Sequence, residues 1–196
     1  MQGNAILYYA DHPVEFVQDI IRATPDAQQE KILNSVAQNQ MTSVRSGHGV
    51  GKSTVEAWVV IWFMCTRPFP KIPCTAPTQH QLFDILWAEV SKWLRNNPLL
   101  QQELIWTKEK VYMRGYQEEW FAVARTASKP DALQGFHAEH VLYIIDEASG
   151  VDDKIFEPIL GALSTPGARL LMCGNPTQLS GFFYESHNKN RAKYST

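Results

Sequence analysis

A chain of 196 residues that is 44% hydrophobic and 19% charged can bury one sizeable core, which excludes a disordered or low-complexity protein. Its formal charge of −2 at pH 7 excludes a globally basic nucleic-acid binder, while leaving room for a local basic patch or for contacts supplied by another domain or subunit. Cys65, Cys74 and Cys173 are odd in number, widely spaced and set among apolar residues, the pattern of buried thiols in a reducing, cytosolic compartment rather than of a disulfide frame or a metal site.

Taken in chain order, Asp11-His12-Pro13 opens a helix in which Phe16, Val17, Ile20 and Ile21 recur at helical spacing. Thr24-Pro25 ends it and is expected to cap a second helix, from about Pro25 to Ala37. Residues 38–45 are the expected first strand, although only Met41, Thr42 and Val44 favour it. The strand leads into Arg45-Ser-Gly-His-Gly-Val-Gly-Lys-Ser-Thr54, which reads as a phosphate-binding loop. Ser46, Gly47, His48, Gly49, Val50 and Gly51 would curl the backbone around an anion. Lys52 would reach the β- and γ-phosphates, Ser53 would offer a hydroxyl to Mg²⁺, and Thr54 would complete the motif. Ser46 stands where the usual pattern places its first Gly, so the match is a variant. The apolar run from Val55 to Cys65 reads as a buried helix whose N-terminus faces the phosphates, and it is far shorter than the ~20 residues of a membrane span.

Arg67-Pro68-Phe69-Pro70 breaks the chain before a second strand, Lys71 to Thr75. Thr78 then caps a helix with Leu82, Phe83, Leu86, Val90, Trp93 and Leu94 on one apolar face, ending at Asn96-Asn97-Pro98. Residues 105–125 suggest paired strands around Arg114-Gly115, and residues 128–135 are loop-like. Val141 to Ile145 and Arg169 to Cys173 are continuous apolar runs suited to strands of a parallel sheet, with a helix from Phe156 to Leu163 between them.

The first of these runs ends in Asp146-Glu147, at the strand end where open α/β sheets bind ligands. Asp146 suits a Mg²⁺ ligand, and Glu147 suits a base that polarises a water attacking the γ-phosphate. Asn175, in Gly174-Asn175-Pro176-Thr177, would lie on the same rim and contact the γ-phosphate or the water. Hydrolysis also needs a cation on the developing charge, for which Arg45 and Arg125 are the candidates. His137 and His140 lack further ligands at metal spacing. The fold class expected is an α/β three-layer P-loop NTPase with a mostly parallel central sheet, of the catalytic-glutamate (ASCE) type. Residues 1–196 would form one domain, with N-terminal helices at 1–40, the P-loop core at 41–180 and a polar tail at 181–196.

These residues together resemble the ATPase domain of the large terminase subunit, the DNA-packaging motor of tailed bacteriophages. The likeness runs from Pro13-Val14-Glu15-Phe16-Val17 and Thr24 to Gln29, through residues 46–54, to Ala132-Leu133-Gln134-Gly135-Phe136-His137-Ala138-Glu139-His140, Ile145 to Gly150 and Gly174 to Thr177. The resemblance implies ATP and Mg²⁺ as cofactors, with Lys52 and Ser53 on phosphates and metal, Asp146 on the metal, Glu147 as base, Asn175 as the coupling residue and Gln29 reading adenine. It implies double-stranded DNA, a portal protein and a small terminase subunit as partners. It also implies a homo-oligomeric ring when assembled or a monomer in isolation, and the host cytoplasm as location. Gln28, His48 and Gln134 depart from the family, which often carries an aromatic at the first position and Arg at the other two, so the arginine finger is unassigned. Residues 181–196 hold no carboxylate cluster like that of the family's nuclease domain, and a motor fragment without nuclease activity is expected. A helicase-like DNA-dependent ATPase of the same group is the alternative, and a nucleotide-dependent assembly module without useful turnover is another.

Overall fold

A computed structural model describes residues 3–47, 49, 51–126 and 130–196. The strands are β1 (Met41–Arg45), β2 (Lys71–Thr75), β3 (Leu104–Trp106), β4 (Lys110–Met113), β5 (Phe121–Ala124), β6 (Val141–Ile145) and β7 (Ala168–Gly174). They form one sheet in the order β1-β7-β6-β2-β5-β4-β3. The five strands from β1 to β5 in that order run parallel, and β4 and β3 close the far edge as antiparallel neighbours. The paired strands expected between residues 105 and 125 are these last three. Every residue of β6 is buried, as an unbroken apolar run with a strand on each side requires.

The helices are α1 (Gly3–Asp11), α2 (Pro13–Phe16, continued by a π-helical turn Val17–Ile21), α3 (Ala27–Gln38), α4 (Lys52–Thr66), α5 (Ala88–Arg95, preceded by a π-helical stretch His80–Trp87), α6 (Pro98–Glu103), α7 (Phe156–Ala162) and α8 (Phe182–Ser186). Helix α4 is apolar on all sides and is accordingly buried on all sides, from Val55 to Thr66. One face lies on the sheet against Ile72, Cys74, Leu142, Ile144, Leu171 and Cys173, and the others are covered by α1, α3 and α5. Trp62 is wholly buried, and its indole N–H donates to the Tyr9 carbonyl at 2.7 Å, which docks α1 onto this layer. The opposite face of the sheet carries Tyr143, Ile145, Leu170 and Met172 against α7 and Phe183, which completes three layers. Each such large side chain contributes about 1.5–3 kcal/mol by leaving water.

Three local expectations shift. The second helix is capped by Asp26, not Thr24. The Asp26 carboxylate accepts the N–H groups of Gln28 and Gln29 at 2.8 and 2.9 Å, and the Gln29 side chain accepts the Asp26 N–H at 3.0 Å. A carboxylate at the positive helix end, answered by Gln three residues on, outcompetes a lone hydroxyl. Strand β1 starts at Met41 rather than residue 38, because α3 runs through Gln38 and Arg169 holds its C-terminus, donating to the Val36 and Asn39 carbonyls. The segment 181–196, expected as a polar tail, packs on the core. Phe183 is 4% exposed, Phe182 stacks on Phe156 at 4.3 Å, and Ser195 exchanges two backbone hydrogen bonds with the outer edge of β1. Three aromatics, Phe182, Phe183 and Tyr194, provide the apolar surface that a solvated tail would lack. The stretch from residue 128 to 135 contains a short 3₁₀ turn, Pro130–Leu133, while Ser128 lies outside the described residues.

Candidate functional site

Strands β1, β6 and β7 end on one rim, with Arg45 level with Gly174 and Ile145 level with Met172, and this register brings the motifs together. From β1 the chain turns through Ser46 and Gly47, and the Ser46 N–H donates to the Gly174 carbonyl at 3.1 Å. Ser46, at the position where the common pattern has Gly, keeps its hydroxyl buried and without a hydrogen-bond partner. Gly51 closes the loop at φ +75°, a backbone conformation that favours glycine, and a Cβ there would stand 2.6 Å from the Gln29 amide nitrogen and push that side chain aside. His48 and Val50 lie outside the described residues.

Lys52 begins α4, is 7% exposed, and donates to the Gly47 carbonyl at 3.0 Å. Its ammonium also stands 3.5 Å from the Glu147 carboxylate. Glu147 adopts a left-handed backbone, φ 45° and ψ 47°, which costs a non-glycine residue about 1–2 kcal/mol. This turn lets one Glu147 oxygen face Lys52 and the other accept the Asn175 N–H at 3.3 Å. The loop lysine, the acid after Asp146 and the residue after Gly174 are thus joined by one ion pair and one hydrogen bond, and backbone strain at such a place is characteristic of functional sites. Asp146 is 2% exposed and accepts the Glu147 N–H at 2.8 Å, and burial followed by the Glu147 charge pushes its pKa up to about 6. A buried carboxylate of that kind, with the hydroxyl of Ser53 at the start of the facing helix, is a hard-oxygen donor set suited to Mg²⁺, whose charge would relieve the cost of ionising Asp146.

Two expected nucleotide contacts have other duties. The Thr54 hydroxyl donates to Glu89 at 2.9 Å and ties α4 to α5, so only its backbone remains for a phosphate. Gln29 spends its carbonyl oxygen on the Asp26 N–H, leaving the NH₂ end above Gly51 to donate to a base. A cavity of about 880 Å³ joins Gln29, Arg45, Gly47 and Lys52, within the size range of small-molecule sites. Arg125 lines a separate hollow of about 600 Å³ with Gln79, His80 and Asp84.

Sequence reading missed Glu56. It lies one helical turn beyond Lys52, is 0% exposed, and has no well-formed hydrogen bond, with the Cys173 thiol and the Asp146 carboxyl as its polar neighbours. Burial, then the nearby Asp146 charge, raise its pKa well above the ordinary carboxyl range, which favours the neutral acid beneath the site. The signal available was a single acid inside the apolar run from Val55 to Cys65, one turn after the loop lysine. Because the folded-state pKa lies above the unfolded one, the stability that Glu56 contributes is full below the unfolded value and is lost as pH rises towards the raised one. Glu56→Gln is expected to flatten the fall in urea midpoint between pH 5 and pH 8. Glu56→Leu, which removes the buried carboxyl, is expected to gain about 1–3 kcal/mol at pH 8. An unchanged slope in Glu56→Gln would show that Glu56 ionises normally.

The probable terminase large subunit of Enterobacteria phage P7 is 36% identical over 173 residues, which make up 85% of this chain and 35% of that protein. The chain therefore spans about a third of the length of the curated relative it matches. Among solved structures, the large terminase ATPase domain of Thermus phage P74-26 matches with a TM-score of 0.71 at 20% identity, over 88% of this chain and 73% of that one. The large terminase of a thermophilic bacteriophage, solved in complex with ADP, matches with a TM-score of 0.58 at 14% identity, over 95% and 44%. No family model matches the chain. At these identities the solved structures establish the fold, that of a P-loop NTPase.

Proposed function

We propose that this chain, 36% identical to a probable terminase large subunit and with the fold of large terminase ATPase domains, hydrolyses ATP to drive double-stranded DNA into a procapsid. The observation that carries the proposal is the pairing of Lys52 with Glu147 at 3.5 Å beside the buried Asp146, which puts a phosphate-binding cation next to a candidate base. Lys52 and the loop backbone would bind and orient the phosphates, with Ser46, Gly47, His48, Gly49, Val50 and Gly51 forming the curl. Ser53 and Asp146 would hold Mg²⁺, which would supply charge neutralisation to the phosphates. Glu147 would take a proton from the attacking water. Asn175, whose N–H holds Glu147, would report the state of the γ-phosphate to β7. Arg45, on the cavity itself, suits a cation acting in cis, and Arg125, on its separate hollow, suits one offered to a neighbouring subunit.

The setting that follows is a homo-oligomeric ring on the capsid portal in the host cytoplasm, working with the portal protein and the small terminase subunit. Residues 181–196 carry one carboxylate side chain, Glu185, so Mg²⁺- or Mn²⁺-dependent cleavage of plasmid is not expected of this chain. The purified chain should release phosphate from ATP only when Mg²⁺ is present, and linear duplex DNA should accelerate release several-fold. A folded chain that binds ATP without Mg²⁺-dependent release would be an assembly module, and one that separates a forked duplex would be a helicase. Either result overturns the packaging-motor reading.

A further inference from the structure

The large cavity beside the loop has a second wall that no motif announces. Helix α8 and the residues after it fold back across the outer edge of β1, held there by Ser195 and by a buried chain of hydroxyls. Ser43 Oγ lies 2.7 Å from Ser186 Oγ and 3.0 Å from His187 Nε2, and the Ser186 hydroxyl donates to the Phe183 carbonyl at 2.6 Å. These bonds place His187 and Arg191 on the same cavity as Gln29, Arg45 and Lys52. Lys31 lines it too, as does the chain-terminal Thr196, and among the described residues no Asp or Glu side chain does. In a chain whose acidic residues outnumber its basic ones, 20 to 18, this cavity is thus lined by four Lys and Arg side chains and a histidine. Among the described residues neither Arg45 nor Arg191 has an ion-pair partner, although Lys52 does. The three groups Arg45, His187 and Arg191 sense one another, since both guanidinium charges join burial in lowering the His187 pKa. Unpaired like charges gathered on one concave surface repel, and an anion that enters relieves the repulsion.

We propose that the C-terminal segment is a built-in wall of the nucleotide site, and that Arg191, with His187 and Arg45 beside it, binds the anionic part of the nucleotide in cis. The inference rests on the ATP reading of the loop and deepens it. Lys52, Gly47, Gln29 and Arg191 line one cavity, so a nucleoside phosphate held at the loop would lie in the same cavity as Arg191. The Arg191 side chain is exposed and makes no hydrogen bond that the fold needs, so its removal leaves the fold intact.

The test is calorimetric titration of the 196-residue chain with Mg·ADP and with the slowly hydrolysed analogue Mg·ATPγS. Wild type is compared with Arg191→Ala, Arg191→Lys and Lys52→Ala, and with Lys189→Ala, which changes a cation of the same segment that lies off the cavity. Losing one charge-assisted contact should weaken both ligands about tenfold in Arg191→Ala, with partial recovery in Arg191→Lys and less than about a twofold change in Lys189→Ala. Equal affinities in wild type and Arg191→Ala, with binding lost in Lys52→Ala, would overturn the wall while leaving the loop reading in place. Loss of affinity for a duplex oligonucleotide in Arg191→Ala, with nucleotide affinity unchanged, would assign the cations to a DNA backbone and also overturn it. No binding by wild type would remove the ATP reading and this inference with it.

Discussion

Glu147→Gln is expected to reduce ATP turnover by about 10²–10⁴-fold while nucleotide binding is preserved or tightened. The substitution keeps shape and length and removes the basic oxygen. The Asn175 N–H can still donate to the amide oxygen, so the left-handed turn after Asp146 has no reason to rearrange. What changes besides basicity is the partner of Lys52. With its ammonium 3.5 Å from the Glu147 carboxylate, Lys52 is engaged before any phosphate arrives, and a nucleotide has to draw it away. Replacing the carboxylate by a neutral amide removes that competition, so affinity for ATP should hold or rise as turnover falls. Single-turnover phosphate release together with equilibrium binding separates the two effects. Turnover within about tenfold of wild type would show that the proton goes elsewhere.

Lys52→Ala carries the second large effect, and it moves the other quantity. Lys52 is the loop's buried cation, with one hydrogen bond to the Gly47 carbonyl that shapes the curl and one ion pair. Removing it takes away the charge that would meet the phosphates and leaves Glu147 beside the loop without its cation, so repulsion replaces attraction at the same spot. ATP affinity should fall about 10²-fold and turnover become undetectable. Heating in saturating Mg·ATP gives a direct comparison, because a ligand that binds the native state raises the melting temperature by mass action. Wild type should gain several degrees and Lys52→Ala almost none, while the two ligand-free proteins melt close together, since Glu147 is about one-fifth exposed and can be hydrated. A full ligand shift in Lys52→Ala would mean that the loop is not a phosphate site.

These expectations draw on residues whose roles differ in how far they could be read in advance. The candidate phosphate loop and Asp146-Glu147 could be singled out in the sequence because the chemistry proposed for them is local. A tight curl favours glycine, an anion is met by a cation and a helix start, and a run such as Val141 to Ile145 suits a strand buried inside a parallel sheet. Gln29 was legible as a candidate through family resemblance, but its pinning by Asp26 was not, since two hydrogen bonds fix which end of the amide faces the cavity. Thr54 is the converse, a motif residue whose hydroxyl is claimed by Glu89, 35 positions away. Glu56 went unread because an acid in an apolar run is equally compatible with an exposed helix face, and only the enclosure of α4 on every side leaves it no water.

Element types, the parallel core and the ingredients of the candidate nucleotide site were therefore written in the residues themselves, because periodicity and short motifs act over a few positions. Which ends of those elements meet was left to the packed fold. Parallel pairing of β1 with β7 and of β7 with β6 brings Lys52, Glu147 and Asn175 within hydrogen-bonding reach, although they lie far apart along the chain. The same is true of the C-terminal segment. Its composition reads as solvated, yet Phe182, Phe183 and Tyr194 gain more by leaving water than the polar residues lose, and their burial carries Arg191 to the rim of the cavity. Long-range contacts of this kind are set by the sum of burial over the whole chain, a quantity that no local stretch contains.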